Sequence, residues 1–277
     1  MFDRFSRSWD MVKASAAVLR SDRELMLFPV LSGLATLVVL ASFALPGFAL
    51  GVFANGWSLG GALLGFAFYF CTYSVMIFFN CALVGAAMIR LEGGDPTLSD
   101  GLAAARSRLG AIFGYAAIAA TVGVLLQAMK GKDSNFLVRL VGSGLGVAWT
   151  LATFLVVPVL VSRDVGPVDA LRQSVALLKR TWGENAVGQL GIGAAFGLLS
   201  AGAIVVSILL VVVAAQASLL LAVAVGLVCG IGVLLLGVYQ AALTGIYSAV
   251  LYRYAMSHEL PAAFQGTDIA HAFAPRR

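Results

Sequence analysis

Two patches of uncharged polar side chains sit inside otherwise apolar stretches of this sequence. Tyr73 and Asn80 stand seven residues apart, as do Ser74 and Cys81, and Gln240, Thr244, Tyr247 and Ser248 follow in steps of four, three and one. On a helix each set falls along one face. Amides, hydroxyls and phenols offer hydrogen bonds without charge, which suits a hydrophilic pore or a groove for a lipid headgroup. Interhelical hydrogen bonding competes with that expectation and is the favoured reading, at about 0.6–2 kcal/mol per bond in a bilayer.

Catalytic chemistry finds less support. Glu92, Asp95, Asp100, Asp164 and Asp169 cluster in connecting segments. "DPTLSD" and "GPVD" have the form of helix starts, where acidic groups meet the positive end of the dipole. The two histidines, His258 and His271, lie near the C-terminus without partner ligands. Cys71, Cys81 and Cys229 each sit alone in apolar runs, so neither a disulfide framework nor a zinc site is expected. No GxSxG, P-loop or HExxH pattern occurs. No catalytic, cofactor or metal site is expected, and the chain reads as a non-enzyme.

The elements that must position these groups follow from composition. Of 277 residues, 61% are hydrophobic and 11% charged, and mean hydropathy is +0.97. A soluble domain carries roughly 25% charged residues, so too little polar surface exists here to coat a globule. Apolar runs near the 20 or so residues that cross a hydrocarbon core recur throughout. Six spans are expected, at 25–50, 60–90, 110–129, 136–161, 186–214 and 217–254. The first reads as a retained span, since it exceeds the apolar core of about 7–15 residues in a cleaved leader. Pro29 falls in its first turn, where a missing N–H costs nothing. The fifth and sixth are divided only by "AAQAS", and the last run is long enough that it must tilt, project or break. All acidic and basic residues lie between spans or near their ends, which lowers the expectation of an ion-coupled transporter.

The basic residues set orientation. With both termini cytoplasmic, 15 of the 18 Lys and Arg fall inside, leaving only Lys130, Lys132 and Arg139 outside. Net charge +5 therefore reflects topology and anionic headgroups rather than nucleic acid. An amphipathic segment precedes each pair of spans. The first carries Phe2, Phe5, Trp9, Val12, Ala16 and Leu19 on one face, with Lys13 and Arg20 off it. The second has Leu98, Leu102, Ala105 and Leu109 beside Arg106 and Arg108. The third has Val168, Leu171, Val175, Leu178 and Trp182 beside Arg172, Lys179 and Arg180. Such helices suit the headgroup layer, either to contact anionic lipid or to cap a bundle and fix its depth. G-x-x-x-G pairs occur at Gly61/Gly65, Gly110/Gly114, Gly142/Gly146, Gly193/Gly197 and Gly226/Gly230, but among 31 glycines such pairs arise readily by chance.

"FDRFSRSWDMVKASAAVLRSDRELMLFPVLSG" resembles the opening of an uncharacterised family of prokaryotic polytopic inner-membrane proteins. "ALRQSVALLKRTWG" is similar to a helix in membrane domains appended to glycerophosphodiester phosphodiesterases, through Ala170, Leu171, Ser174, Leu177, Lys179 and Trp182. The resemblance implies no activity, and no phosphodiesterase domain is expected in these residues.

The expected fold is all-α: one integral membrane domain of six transmembrane helices as three hairpins, each preceded by a cytoplasmic amphipathic interfacial helix. Tandem units would cover 1–58, 95–162 and 165–256, with a tail at 257–277. The expected role is non-enzymatic lipid contact or membrane scaffolding in a bacterial cytoplasmic membrane, with phospholipid as partner, no nucleic acid, and self-association as a further possibility. The alternative is a channel or transporter for a lipid or small solute.

Overall fold

The computed structural model describes residues 15–49, 59–129, 136–180 and 182–257, together with Lys13. All regular structure among them is helical. Residues 15–21 form α1. A 3-10 turn, Arg23–Met26, leads into α2 (Leu27–Ala49). Then come α3 (Leu59–Leu91), α4 (Leu98–Arg106), α5 (Leu109–Met129), α6 (Phe136–Thr153), α7 (Val156–Ser162), α8 (Pro167–Arg180), α9 (Trp182–Ala217) and α10 (Leu219–Ser257). Six stretches are long and apolar enough to cross a membrane: Arg23–Phe48, Gly60–Leu91, Leu109–Gln127, Gly144–Ser162, Ala195–Ala217 and Leu219–Met256.

Local chemistry sets the breaks. Asp22 is extended at φ −137°, and its side chain accepts from the Glu24 N–H, which separates α1 from the first span. After α3, Gly93 turns at φ 89°, a conformation that glycine adopts without steric cost. Thr97 and Asp100 then start α4 with a reciprocal capping box. Pro167 opens α8 with Asp169 in its first turn. The fourth span is interrupted at Phe154–Leu155, between α6 and α7. Pro158 explains this, because its ring blocks the carbonyl four residues earlier and it has no N–H to donate. The boundary in "AAQAS" narrows to Ser218, whose Oγ accepts from the Leu221 N–H and caps α10. The long sixth run does not break: α10 has 39 residues. At 1.5 Å per residue it measures about 58 Å, nearly twice a hydrocarbon core of about 30 Å.

Packing is concentrated toward one end. α3 is the hub, touching α2, α4, α5, α7 and α10. The core gathers Leu19, Leu25 and Phe28 with residues 81–87 of α3, Ile112 and Ala116 of α5, residues 155–160, and residues 246–251 of α10. Glycine permits the closest approaches. A Cβ on Gly85 would lie 2.7 Å from the Ala104 Cβ, and one on Gly101 would lie 2.7 Å from the Ala82 carbonyl oxygen. Away from this end the helices carry exposed apolar side chains, among them Leu37, Leu45, Leu63, Leu198, Leu209, Leu220 and Leu234. α9 and α10 pack mainly on each other there, with Phe196 and Tyr239 6.0 Å apart by ring centroids.

The expected apolar faces of the connecting helices are partly shifted. In α1, Leu19 is buried as expected, but Ser15 and Val18 are buried too and Ala16 is only half-buried. Phe2, Phe5, Trp9 and Val12 lie outside the described residues. α4 buries Gly101 and Ala105, half-buries Leu98 and Leu102, and exposes Arg106. Leu109, expected on the same face, begins α5 and is exposed. α8 buries Ala170, Ser174, Leu177 and Leu178 while exposing Val168, Arg172 and Lys179.

Candidate functional site

The two polar patches converge. Tyr73 and Asn80 of α3 and Gln240 and Thr244 of α10 line one cavity of about 620 Å³ among the spans. Ser32 of α2, Tyr115 of α5, Trp149, Thr150 and Thr153 of α6, and Ser248 of α10 complete its polar lining. Phe28, Ile77, Leu83, Phe154 and Val157 supply apolar wall. Among the described residues, no Asp, Glu, Lys, Arg or His is in the lining. A volume of this size falls within the roughly 300–1,000 Å³ of small-molecule sites.

Hydrogen bonding separates the lining into two kinds. The hydroxyls of Thr150, Thr153, Thr244 and Ser248 donate to carbonyls of their own helices, at 2.9, 2.8, 2.8 and 2.7 Å. The Thr153 hydroxyl also bonds the Tyr115 side chain, and the lone pairs of Thr150, Thr244 and Ser248 remain available. Among the described residues, the side-chain amides of Asn80 and Gln240 make no hydrogen bond to the protein. The Asn80 Oδ1 instead lies 3.2 Å from where a Cβ on Gly245 would sit, so glycine there lets α10 close against this amide. Tyr247 does not join the site: it is fully buried, with its ring 6.0 Å from Phe154. Ser74 and Cys81 are likewise buried and absent from the lining.

The cavity lies deep relative to the charged end. Asn80 precedes Leu91, the last residue of α3, by eleven positions, about 16 Å along the axis. At that end Arg253 Nη1 meets Glu92 Oε1 at 2.6 Å, joining the ends of α10 and α3. Arg108 pairs with Asp164, joining the α4–α5 turn to the α7–α8 connection. Arg163 donates to Gln173 Oε1 at 2.9 Å and to the Met256 Sδ at 3.3 Å. Arg90 pairs with Asp95 at 3.1 Å, and Arg172 with Asp169 at 3.7 Å. The remaining acidic candidate, Asp100, accepts from the Thr97 backbone N–H and hydroxyl at 2.9 and 2.7 Å. Those two bonds, the backbone one foremost, hold its carboxyl below its ordinary value. The five clustered carboxylates are thus engaged in capping and ion pairing.

The other candidate residues are spread around this charged end rather than gathered. Lys13, Arg20, Arg106, Arg172 and Lys179 are exposed. Arg108 is partly covered by its pairing with Asp164. Arg180 ends α8 and Trp182 opens α9, but their side chains, like Trp9, lie outside the described residues. Of the glycines in G-x-x-x-G pairs, Gly65, Gly110, Gly146, Gly193, Gly197 and Gly230 face open space. Gly114 is the tight one, with its Cβ position 2.8 Å from the Pro167 ring.

Sequence reasoning missed Ser32, Tyr115, Trp149, Thr150 and Thr153. Trp149 and Thr153 stand four apart in an apolar run, a signal of the same kind as the two that were read.

The chain belongs to a family of unknown function (DUF6159), whose pattern matches residues 59–260. That range takes in α3 through α10 and excludes α2, the source of Ser32 and Phe28. No curated protein matches the chain.

Proposed function

We propose that this is a non-enzymatic integral membrane protein that holds an amphiphile in its intramembrane cavity, as a lipid-binding protein or as one stage of lipid or solute transfer. One observation carries it. Two side-chain amides on different spans face a common cavity without protein partners, whereas residues serving only as packing would bond across the helix interface. The six spans are read as three hairpins, with α1, α4 and α8 as amphipathic interfacial helices of a bacterial cytoplasmic membrane. Both termini are read as cytoplasmic, because that orientation puts 15 of the 18 basic residues inside.

Native mass spectrometry of the protein extracted from its membrane tests this. Gly237 lines the cavity, and a Cβ there meets nothing within 4 Å. Gly237→Leu should therefore fill the cavity without disturbing the fold and should remove a co-purifying lipid adduct. Val228→Phe, on an exposed part of α10, should leave the adduct in place. Equal adducts in both variants would refute the proposal.

A second role rests on the exposed cations Arg106, Arg172 and Lys179 around the charged end. They suit contact with anionic headgroups, and with that contact a scaffolding role or self-association. Replacing all three with Gln should weaken recruitment of anionic lipid around the protein; unchanged enrichment would exclude that role.

A further inference from the structure

Resting on the cavity as the binding site, we infer that its ligand is a lipid with an uncharged, hydroxyl-bearing headgroup, of the diacylglycerol class. The lining determines the headgroup. A phosphate or an ammonium brought there would leave water without meeting a counter-charge, a costly transfer. The ion pairs are no substitute, because they sit at the helix ends and Asn80 lies about 16 Å away along α3. Hydroxyl and ester groups carry no such penalty if they are hydrogen-bonded.

The lining offers those bonds in a particular sense. The Thr150, Thr244 and Ser248 hydroxyls donate to carbonyls of their own helices. They face the cavity as acceptors, which calls for a donor on the ligand. A free hydroxyl supplies it. The Asn80 and Gln240 amides can then donate to ester carbonyls and accept from the same hydroxyl.

A lipid also needs an exit for its chains. Asn80 and Met76 of α3, Thr150 of α6, and Gly237 and Ala241 of α10 both line the cavity and are exposed on the bundle surface. α6 packs mainly on α5 and α8, with at most sparse contact to α3 or α10. The seam between α6 and the α3–α10 pair is therefore open, and it lies within the membrane-spanning stretches Gly60–Leu91, Gly144–Ser162 and Leu219–Met256. Acyl chains leave through it into the surrounding hydrocarbon.

The test uses the full chain in phosphatidylcholine nanodiscs with two diazirine probes of identical acyl chains, a diacylglycerol and a phosphatidylglycerol. The diacylglycerol probe should label peptides containing residues 76–83 and 237–245. Unlabelled diacylglycerol should compete at least about tenfold more effectively than phosphatidylglycerol, a difference near 1.4 kcal/mol. This arm needs no substitution and so is immune to misfolding. Asn80→Leu with Gln240→Leu should cut cavity labelling about tenfold while leaving labelling of α9 unchanged. Equal labelling of the cavity by phosphatidylglycerol, or labelling indifferent to the double substitution, would overturn the headgroup inference while sparing the cavity itself. Failure of both probes to label cavity peptides would overturn both.

Discussion

Replacing Gly101 with valine should loosen the packed end of the bundle and the cavity together. Gly101 is where α4 lies on α3: a Cβ would fall 2.7 Å from the Ala82 carbonyl oxygen and 2.9 Å from a Phe28 ring carbon. The Ala82 carbonyl is fixed within α3 and Ala82 is 0% exposed, so the Phe28 ring is the neighbour that must shift. Overpacking of this kind costs about 1–3 kcal/mol, against a few tenths gained from leaving glycine in a helix. A net loss of about 2 kcal/mol is expected. Phe28 also lines the cavity, so its displaced ring should take up ligand space and lower lipid occupancy. Gly110→Val is the matched control, because nothing lies within 4 Å of its Cβ position. Denaturant unfolding of the three proteins in one detergent measures the difference, and the lipid adduct in native mass spectrometry reads the cavity. If Gly101→Val matched Gly110→Val within about 0.5 kcal/mol, the usual spread for surface changes, the close packing of α4 on α3 would be refuted.

Asn80→Leu and Gln240→Leu should leave stability unchanged or raised, since neither amide bonds to the protein; a loss of about 0.6–2 kcal/mol each in unfolding titrations would identify them as interhelical bonds instead. A double-mutant cycle on Glu92 and Arg253, whose side chains are 64% and 29% exposed, should give a coupling of at most about 1 kcal/mol that shrinks with added salt. Asp100 has a lowered carboxyl pKa, so its stabilisation is complete above the ordinary value near 4 and is lost as pH falls through the lowered one. Asp100→Asn should therefore be less stable at neutral pH and lose less stability on acidification below about pH 4; an acid limb identical to that of the wild type would contradict this.

The spans were legible because apolar length alone distinguishes them, and the α4 start because Thr97 and Asp100 stand at capping-box spacing. The break before α7 was equally encoded, in Pro158, but an apolar run conceals it from a hydropathy reading. The polar face of α10 was legible only as an arc. At 100° per residue, the lining positions Gly237, Gln240, Ala241, Thr244, Gly245 and Ser248 spread over about 140°. Tyr247 falls about 20° outside the Gln240 edge of that arc and turns into the core against Phe154. Seven-residue spacing from Gln240 placed it close to the face but could not say on which side the cavity lay. Ser32 and Tyr115 gave no periodic signal, being single polar residues in their spans' lining. Only the packing of α2 and α5 around α3 brings them to the site.

The most direct measurement is electron cryomicroscopy of the protein in nanodiscs made from its native membrane. Elongated density should enter between α6 and the α3–α10 pair, with its head within hydrogen-bonding distance of the Asn80 and Gln240 amides and its tail in the bilayer. A cavity closed by those two amides bonding to each other or to the neighbouring helix, with lipid confined to the outer surface, would contradict the binding role.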